Sequence, residues 1–134
     1  MGTKSVSVCS ELRILPIGQI LSMYRLGSKV SLDYIKDFKY LYETPGAVRV
    51  SIDNDGEVCS VSISAEVPDL SAESAAKLDI YRQMRFVASY IDERGAVRIA
   101  GNLNNPLKFD YQEEGGNYRV ILSGASLSMP GYLD

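Results

Sequence analysis

Two groups of residues in this 134-residue chain have types and spacing suited to chemistry. One is a set of carboxylates around a glycine, Asp53, Asp55 and Glu57 about Gly56; the other is an aromatic strip, Phe38, Tyr40 and Tyr42. Clustered carboxylate oxygens beside a glycine turn resemble a fragment of a calcium loop, because hard cations take oxygen ligands. The fragment lacks the distal glutamate of an EF-hand loop, so a plain turn is the expected reading. Aromatic residues at every second position of DFKYLYE share one face of a strand. Such a face can bind sugars or bases, or it can be the buried side of an ordinary half-exposed strand. The sequence contains no histidine, which excludes Ser-His-Asp and Cys-His catalysis and His-ligated metal. A Ser-Lys or Asp-Glu mechanism is what remains for an enzyme, and sequence alone cannot pair such groups. Gly101 and Gly115-Gly116 stand in neither P-loop nor GxGxxG spacing, so no nucleotide and no cofactor is expected. Cys9 and Cys59 are too few and too far apart for a zinc knuckle or a disulfide framework and read as small buried hydrophobes.

The length suits a single domain, residues 1–134, able to bury a core without staples. Apolar residues at 46% and charged residues at 23% are the proportions of a globular protein rather than a disordered one. A net charge of −3, with 14 scattered Lys and Arg, disfavours nucleic acid as the primary partner, because phosphate neutralisation needs a concentrated basic surface. No run approaches the roughly 18 apolar residues of a membrane span, and the start carries no apolar signal-like segment. The expected product is not secreted by the standard signal route.

The elements that must position these groups are mostly strands. Ser5 to Leu15 alternates Val6 and Val8 with serines, then Leu12 and Ile14 with Glu11 and Arg13. Pro16 and Gly18 suggest that the chain then turns, with a short helix or loop through Gln19 to Met23, a turn at Gly27-Ser28 and a strand near Lys29 to Tyr34. Asp37 to Glu43 is a further strand. Ala47 to Ile52 and Glu57 to Val67 flank Asp53-Asn54-Asp55-Gly56, the clearest hairpin signal in the chain. In the second arm Cys59, Val61, Ile63, Ala65 and Val67 must share a face, leaving serines and charges on the other. One helix is expected from about Ala72 to Gln83, capped by Asp69 or Ser71 and crossing between two sheet portions. Ala72, Ala76, Ile80 and Met84 form its i+4 stripe, with Leu78 and Tyr81 off it. From Arg85 to Ser126 four β runs alternate with turn clusters, Asp92 to Gly95, Gly101 to Pro106 and Glu113 to Gly116, which predicts an antiparallel meander. Residues 127–134 should form an irregular tail whose Met129, Tyr132 and Leu133 are more apolar than a free end requires. They pack on their own domain, fray, or dock on a neighbouring subunit. The fold class is mainly β with one short helix, an antiparallel β-sandwich or partly open β-barrel.

The acidic-Gly turn Asp92 to Gly95, the run Val97 to Gly101, Pro106-Leu107-Lys108-Phe109 and the final Tyr118 to Gly124 follow one another in a distinctive order. In that order Val87 to Leu122 resembles the C-terminal half of a family of small proteins encoded in prophage tail gene clusters of anaerobic gut bacteria. Leu12 to Pro16 and Cys59 to Pro68 stand in the matching order upstream. The resemblance implies a non-enzymatic structural component of a phage or prophage tail, present in the bacterial cytoplasm before assembly and then in the virion. It implies no catalytic residue. Its partners would be further copies of the chain or other tail proteins, since antiparallel domains can assemble by edge pairing or tail docking. The expected contacts are the strip Phe38, Tyr40 and Tyr42, the tip at Asp53 and Asp55, and the tail at Met129, Tyr132 and Leu133. The other reading is a monomeric β domain that binds a carbohydrate or another small ligand on the aromatic strip.

Overall fold

A computed structural model describes residues 3–35, 39–42, 48–67, 71–126 and 129–133; of 3–4, 39–42 and 67 only the backbone is described. The chain forms strands β1 (Thr3–Pro16), β2 (Ile20–Leu26), β3 (Lys29–Tyr34), β4 (Lys39–Tyr42), β5 (Val48–Asn54) and β6 (Cys59–Val67). Helix α1 (Ala72–Arg82) follows, then β7 (Arg85–Ile91), β8 (Val97–Ala100), β9 (Leu107–Glu114), β10 (Asn117–Ser126) and β11 (Gly131–Leu133). The protein is thus mainly β with one short helix, as its alternating pattern requires. All described pairings are antiparallel except β11 with β3.

The strand order β7-β9-β10-β6-β5-β1 closes on itself, because β1 also pairs with β7. The result is a six-stranded barrel. The β7–β9 seam is thin, only Arg85↔Lys108 and Phe86↔Leu107, because β8 occupies the rest of that edge of β7 from Ala88 to Ile91. Period-2 alternation fills the interior. Val48 and Val50, Cys59, Val61, Ile63 and Ala65, Phe86, Ala88 and Tyr90, Leu107 and Phe109, and Tyr118, Val120 and Leu122 all belong to one buried cluster. Cys9, Leu12 and Ile14 join it from β1, which means that the inward parity switches along this strand. The switch is a bulge. Glu11 has φ 51°, a left-handed conformation unusual outside glycine, and the register shifts there against both neighbours. As a consequence Val6 and Val8 point outward, 63% and 52% exposed, and the two valines upstream of the bulge are not core.

The helix carries the chain from β6 to β7 and contributes to the barrel core. The Ser71 Oγ accepts from Ser74 N at 3.2 Å as its N-cap. Its packed face is Leu78 with Ala75, Tyr81 and Met84, while Ala72, Ala76 and Ile80 are outside. The i+4 stripe is therefore corrected to an i+3 one. On this face the Tyr81 ring meets Phe86 and Phe109 edge-on at 5.6 and 5.5 Å. Arg82 anchors the helix to β9, donating from Nε to Asp110 at 2.8 Å and from Nη2 to the Tyr111 carbonyl at 3.0 Å.

A second, smaller layer covers the outside of β7. The β2–β3 hairpin and β11 continue the sheet beyond β8 and fold over Val87, Ile99 and Val30, with Ile17, Ile20, Met23, Leu32 and Leu133 around them. β7 is buried on both faces. Three expectations are corrected here. Residues 17–19 make a 3-10 turn and Ile20–Leu26 is a strand rather than a helix or loop, because the hairpin turn at Gly27 (φ +62°) pairs it with β3. The meander from Arg85 is broken, since β8 pairs with β11 and β9 turns away to β7. Gly101 makes that departure (φ +85°), and a Cβ there would sit 3.0 Å from Leu107 Cγ and 3.3 Å from the Phe86 carbonyl. The tail is no irregular end: residues 131–133 form β11, inserted between β3 and β8.

Candidate assembly surfaces

Among the described residues β2 pairs with β3 alone, so one edge of a seven-residue strand presents its backbone N–H and C=O groups without a strand partner. Natural edges are usually blunted by charges, proline or covering loops. β2 carries a single charge, Arg25, and that side chain is engaged: Nε donates to the Gly27 carbonyl at 2.7 Å and Nη1 to the Met129 carbonyl at 2.5 Å. Leu21 (63% exposed), Tyr24 (60%) and Leu26 (74%) lie on the same strand, with Ile35 beyond β3 also exposed at 62%. Unpaired backbone and exposed apolar side chains thus occur together. The hairpin escaped sequence reading because Pro16 and Gly18 look like loop formers and the bulge between Ile20 and Ser22 interrupts its alternation. The turn Gly27-Ser28 is legible ahead of β3, and with Leu26 and Lys29 in register across it, it is also the signal for a strand on its near side.

Across β3 from this edge the C-terminal strap is held chiefly by its backbone. The carbonyls of Met129, Pro130 and Gly131 accept from Arg25, Arg98 Nη2 and Arg98 Nε, and Tyr132 N donates to the Ser28 carbonyl at 2.7 Å. Tyr132 stacks on the Arg98 guanidinium at 4.3 Å, Leu133 enters the second apolar layer, and Met129 remains 42% exposed. Arg98 is itself held by Asp92, 3.5 Å away. Partial burial pushes the Asp92 carboxyl up, but donation from the Ala96 and Arg94 backbone and from Arg98 outweighs it and leaves the group below its ordinary value.

The Asp53–Gly56 tip is a self-contained turn. Asp55 Oδ1 accepts from Val58 N at 2.7 Å and Glu57 N at 2.9 Å, which holds its carboxyl below the ordinary range, and Asn54 Oδ1 accepts from Gly56 N at 2.9 Å. Asp53 lies outward on β5, in register with Ser60. The base of the tip approaches the strap region: Asn54 is in register with Cys59, which lines one cavity with Arg25 and Met129. Of the aromatic strip, Phe38 and the side chains of Tyr40 and Tyr42 lie outside the described residues; the Tyr40 and Tyr42 backbones pair with Arg13 and Leu12.

The barrel wall differs from the β2 edge. Across it the register aligns Val6, Ser51, Ser62, Ser123, Lys108 and Arg85 in one row running over β1, β5, β6, β10, β9 and β7. The serine side of β6 was legible in its alternation. Its extension over neighbouring strands was not, because register leaves no local mark. Cys9 and Cys59 are free and buried; burial pushes the Cys9 thiol up to about 11 and raises that of Cys59 as well. Among the described residues no helix is long and apolar enough to cross a membrane. The chain matches no protein-family model, no curated protein and no solved structure.

Proposed function

We propose that this protein is a non-catalytic assembly subunit of a phage or prophage tail, which joins further copies of itself or neighbouring tail proteins through the β2 edge. The observation that carries the assembly part is the coincidence, on one strand, of a backbone edge with no strand partner among the described residues and exposed Leu21, Tyr24 and Leu26. A strand added there gains backbone hydrogen bonds and apolar burial together. The tail setting rests on the resemblance of the Val87 to Leu122 segment. Synthesis in the bacterial cytoplasm and incorporation into the virion follow from that setting.

Sedimentation velocity from micromolar to millimolar concentration tests the edge. The wild-type chain is expected to associate with rising concentration, and Tyr24→Lys/Leu26→Lys to remain monomeric while keeping its fold. A wild-type chain monomeric throughout, and without a tail partner in pull-downs, would sink the assembly reading in favour of a monomeric ligand-binding domain. Mass spectrometry of phage-like particles released after DNA damage tests the setting; absence of the chain from complete particles overturns it.

A further inference from the structure

The hairpin and the strap do not close completely on the barrel. Between them lies a cavity of about 210 Å³, equivalent to about seven waters at their liquid volume. Its walls come from three directions: Met23 from the hairpin, Val61, Ile99 and Leu107 from the barrel and β8, and Met129 from the strap. Asn102, Asn105 and Ser126 add polar groups beside these apolar walls, so the cavity can take a ligand with both an apolar and a polar part. Among the described residues its one cationic wall residue is Arg25. The bonds to the Gly27 and Met129 carbonyls fix the guanidinium at the boundary between hairpin and strap, and Nη2 takes part in neither. Cys59 lines the same cavity; burial raises its thiol, and the nearby Arg25 charge offsets this only in part.

We propose that this cavity binds a small monocarboxylate with an apolar tail, the tail lying against Met23, Val61, Ile99, Leu107 and Met129 and the carboxylate pairing with Arg25. An apolar cavity of about 150 Å³ accepts benzene, so this one suits a ligand of roughly eight non-hydrogen atoms. Arg is the side chain whose planar fork fits a carboxylate. The site does not depend on the assembly reading, since its walls lie within one chain.

Titration of the full chain, labelled with [methyl-13C]methionine, with hexanoate and separately with hexan-1-ol at neutral pH tests the proposal. Met23 and Met129 line the cavity, and Met84 at the end of the helix serves as an internal reference. Hexanoate is expected to shift the Met23 and Met129 methyl signals, leave that of Met84 in place, and bind roughly tenfold tighter than the alcohol because its hydrogen bonds are charge-assisted. Arg25→Gln should abolish that preference, and Val61→Phe should abolish binding by filling the space. Met23 and Met129 signals that do not move at millimolar hexanoate overturn the site. Equal affinity for acid and alcohol in the wild-type chain overturns the carboxylate assignment. Undiminished binding in a Val61→Phe variant that keeps the wild-type Met84 signal places the ligand elsewhere and overturns the proposal.

Discussion

The barrel wall and the β2–β3–β11 flap are built from the same kind of strand and meet solvent in opposite ways. In the wall β5, β6 and β10 are paired on both edges and face outward with Ser51, Ser62 and Ser123. In the flap β2 has one strand partner among the described residues and faces outward with Leu21, Tyr24 and Leu26. Closure removes the need to protect a wall, because a strand with both edges satisfied offers an incoming chain nothing to bond. The flap sheet ends in an edge, and the apolar surface is concentrated at that same edge. A protein selected only to stay soluble would place its charges there. The difference also extends inward: the wall rests on a core shared by six strands, whereas the flap is joined to the barrel sheet through β11 and the short register Gly131↔Ile99 and Tyr132↔Arg98.

The largest expected effect lies where the barrel closes. Phe86 is fully buried, its ring 5.6 Å from Tyr81 and 5.8 Å from Phe109, and its backbone makes half of the β7–β9 seam. Phe86→Ala should cost about 3–5 kcal/mol, because it removes a large ring and leaves a cavity bounded by a helix and two strands that cannot all move inward. Urea unfolding followed by circular dichroism measures this. A loss below about 1 kcal/mol would mean that the seam contributes little and that the wall is an open sheet, not a closed one.

The strap provides a sharper, more local break. A Cβ on Gly131 would lie 2.6 Å from Val30 Cγ2 and 3.0 Å from the Ser28 carbonyl, so Gly131→Val must push β11 away from β3. The expected loss is about 1–3 kcal/mol, the range for inserting methyl groups into a packed site. Amide exchange should accelerate in β2, β3 and β11 while β6 and β10 keep their protection. Equal acceleration in both regions would show the flap and barrel to be a single cooperative unit, and the contrast between them would not extend to stability.

The wall was far more legible in the sequence than the flap, for a physical reason. β6 alternates strictly and β10 nearly so, with Ile121 the exception, because one face is core and the other is outward, and Asp53 to Gly56 provides its own hydrogen bonds, so local residues are sufficient to identify both. The helix start was legible from the Ser71 cap, but its buried face was not, since i+3 packing of Leu78 and Tyr81 depends on the aromatic rings of β7 and β9. Barrel closure through β1 and β7 joins residues more than seventy positions apart, for example Ile14 and Ala88, and such pairing has no local period. The bulge at Glu11 has no residue signal at all, as its left-handed φ falls on a side chain that does not favour it. β11, at three residues, is too short to alternate. Of the expected contact residues, Tyr132 and Leu133 lie on β11, which β3 separates from the exposed edge of β2, and the hairpin that makes this edge was not anticipated as a strand pair.

The smallest expected effect is the most direct test of where copies meet. Ser62 sits in the middle of the wall, in register with Ser51 on one side and Ser123 on the other, and is half-buried among small side chains. In Ser62→Lys the alkyl stem can lie along those neighbours while the ammonium reaches water. Lys108 stands two strands away, on the far side of Ser123. That is on the order of 10 Å, about one Debye length at physiological salt, so the added repulsion is weak. Stability should therefore stay within about 0.5 kcal/mol of wild type. Association should be unchanged too, because the substituted strand has both edges paired, and this sets the variant against Tyr24→Lys/Leu26→Lys, where association should vanish at similarly small cost to stability. A folded Ser62→Lys chain that no longer associates would reverse the assignment. The serine row would then be the surface on which copies stack face to face, and the exposed apolar residues of β2 would need another occupant.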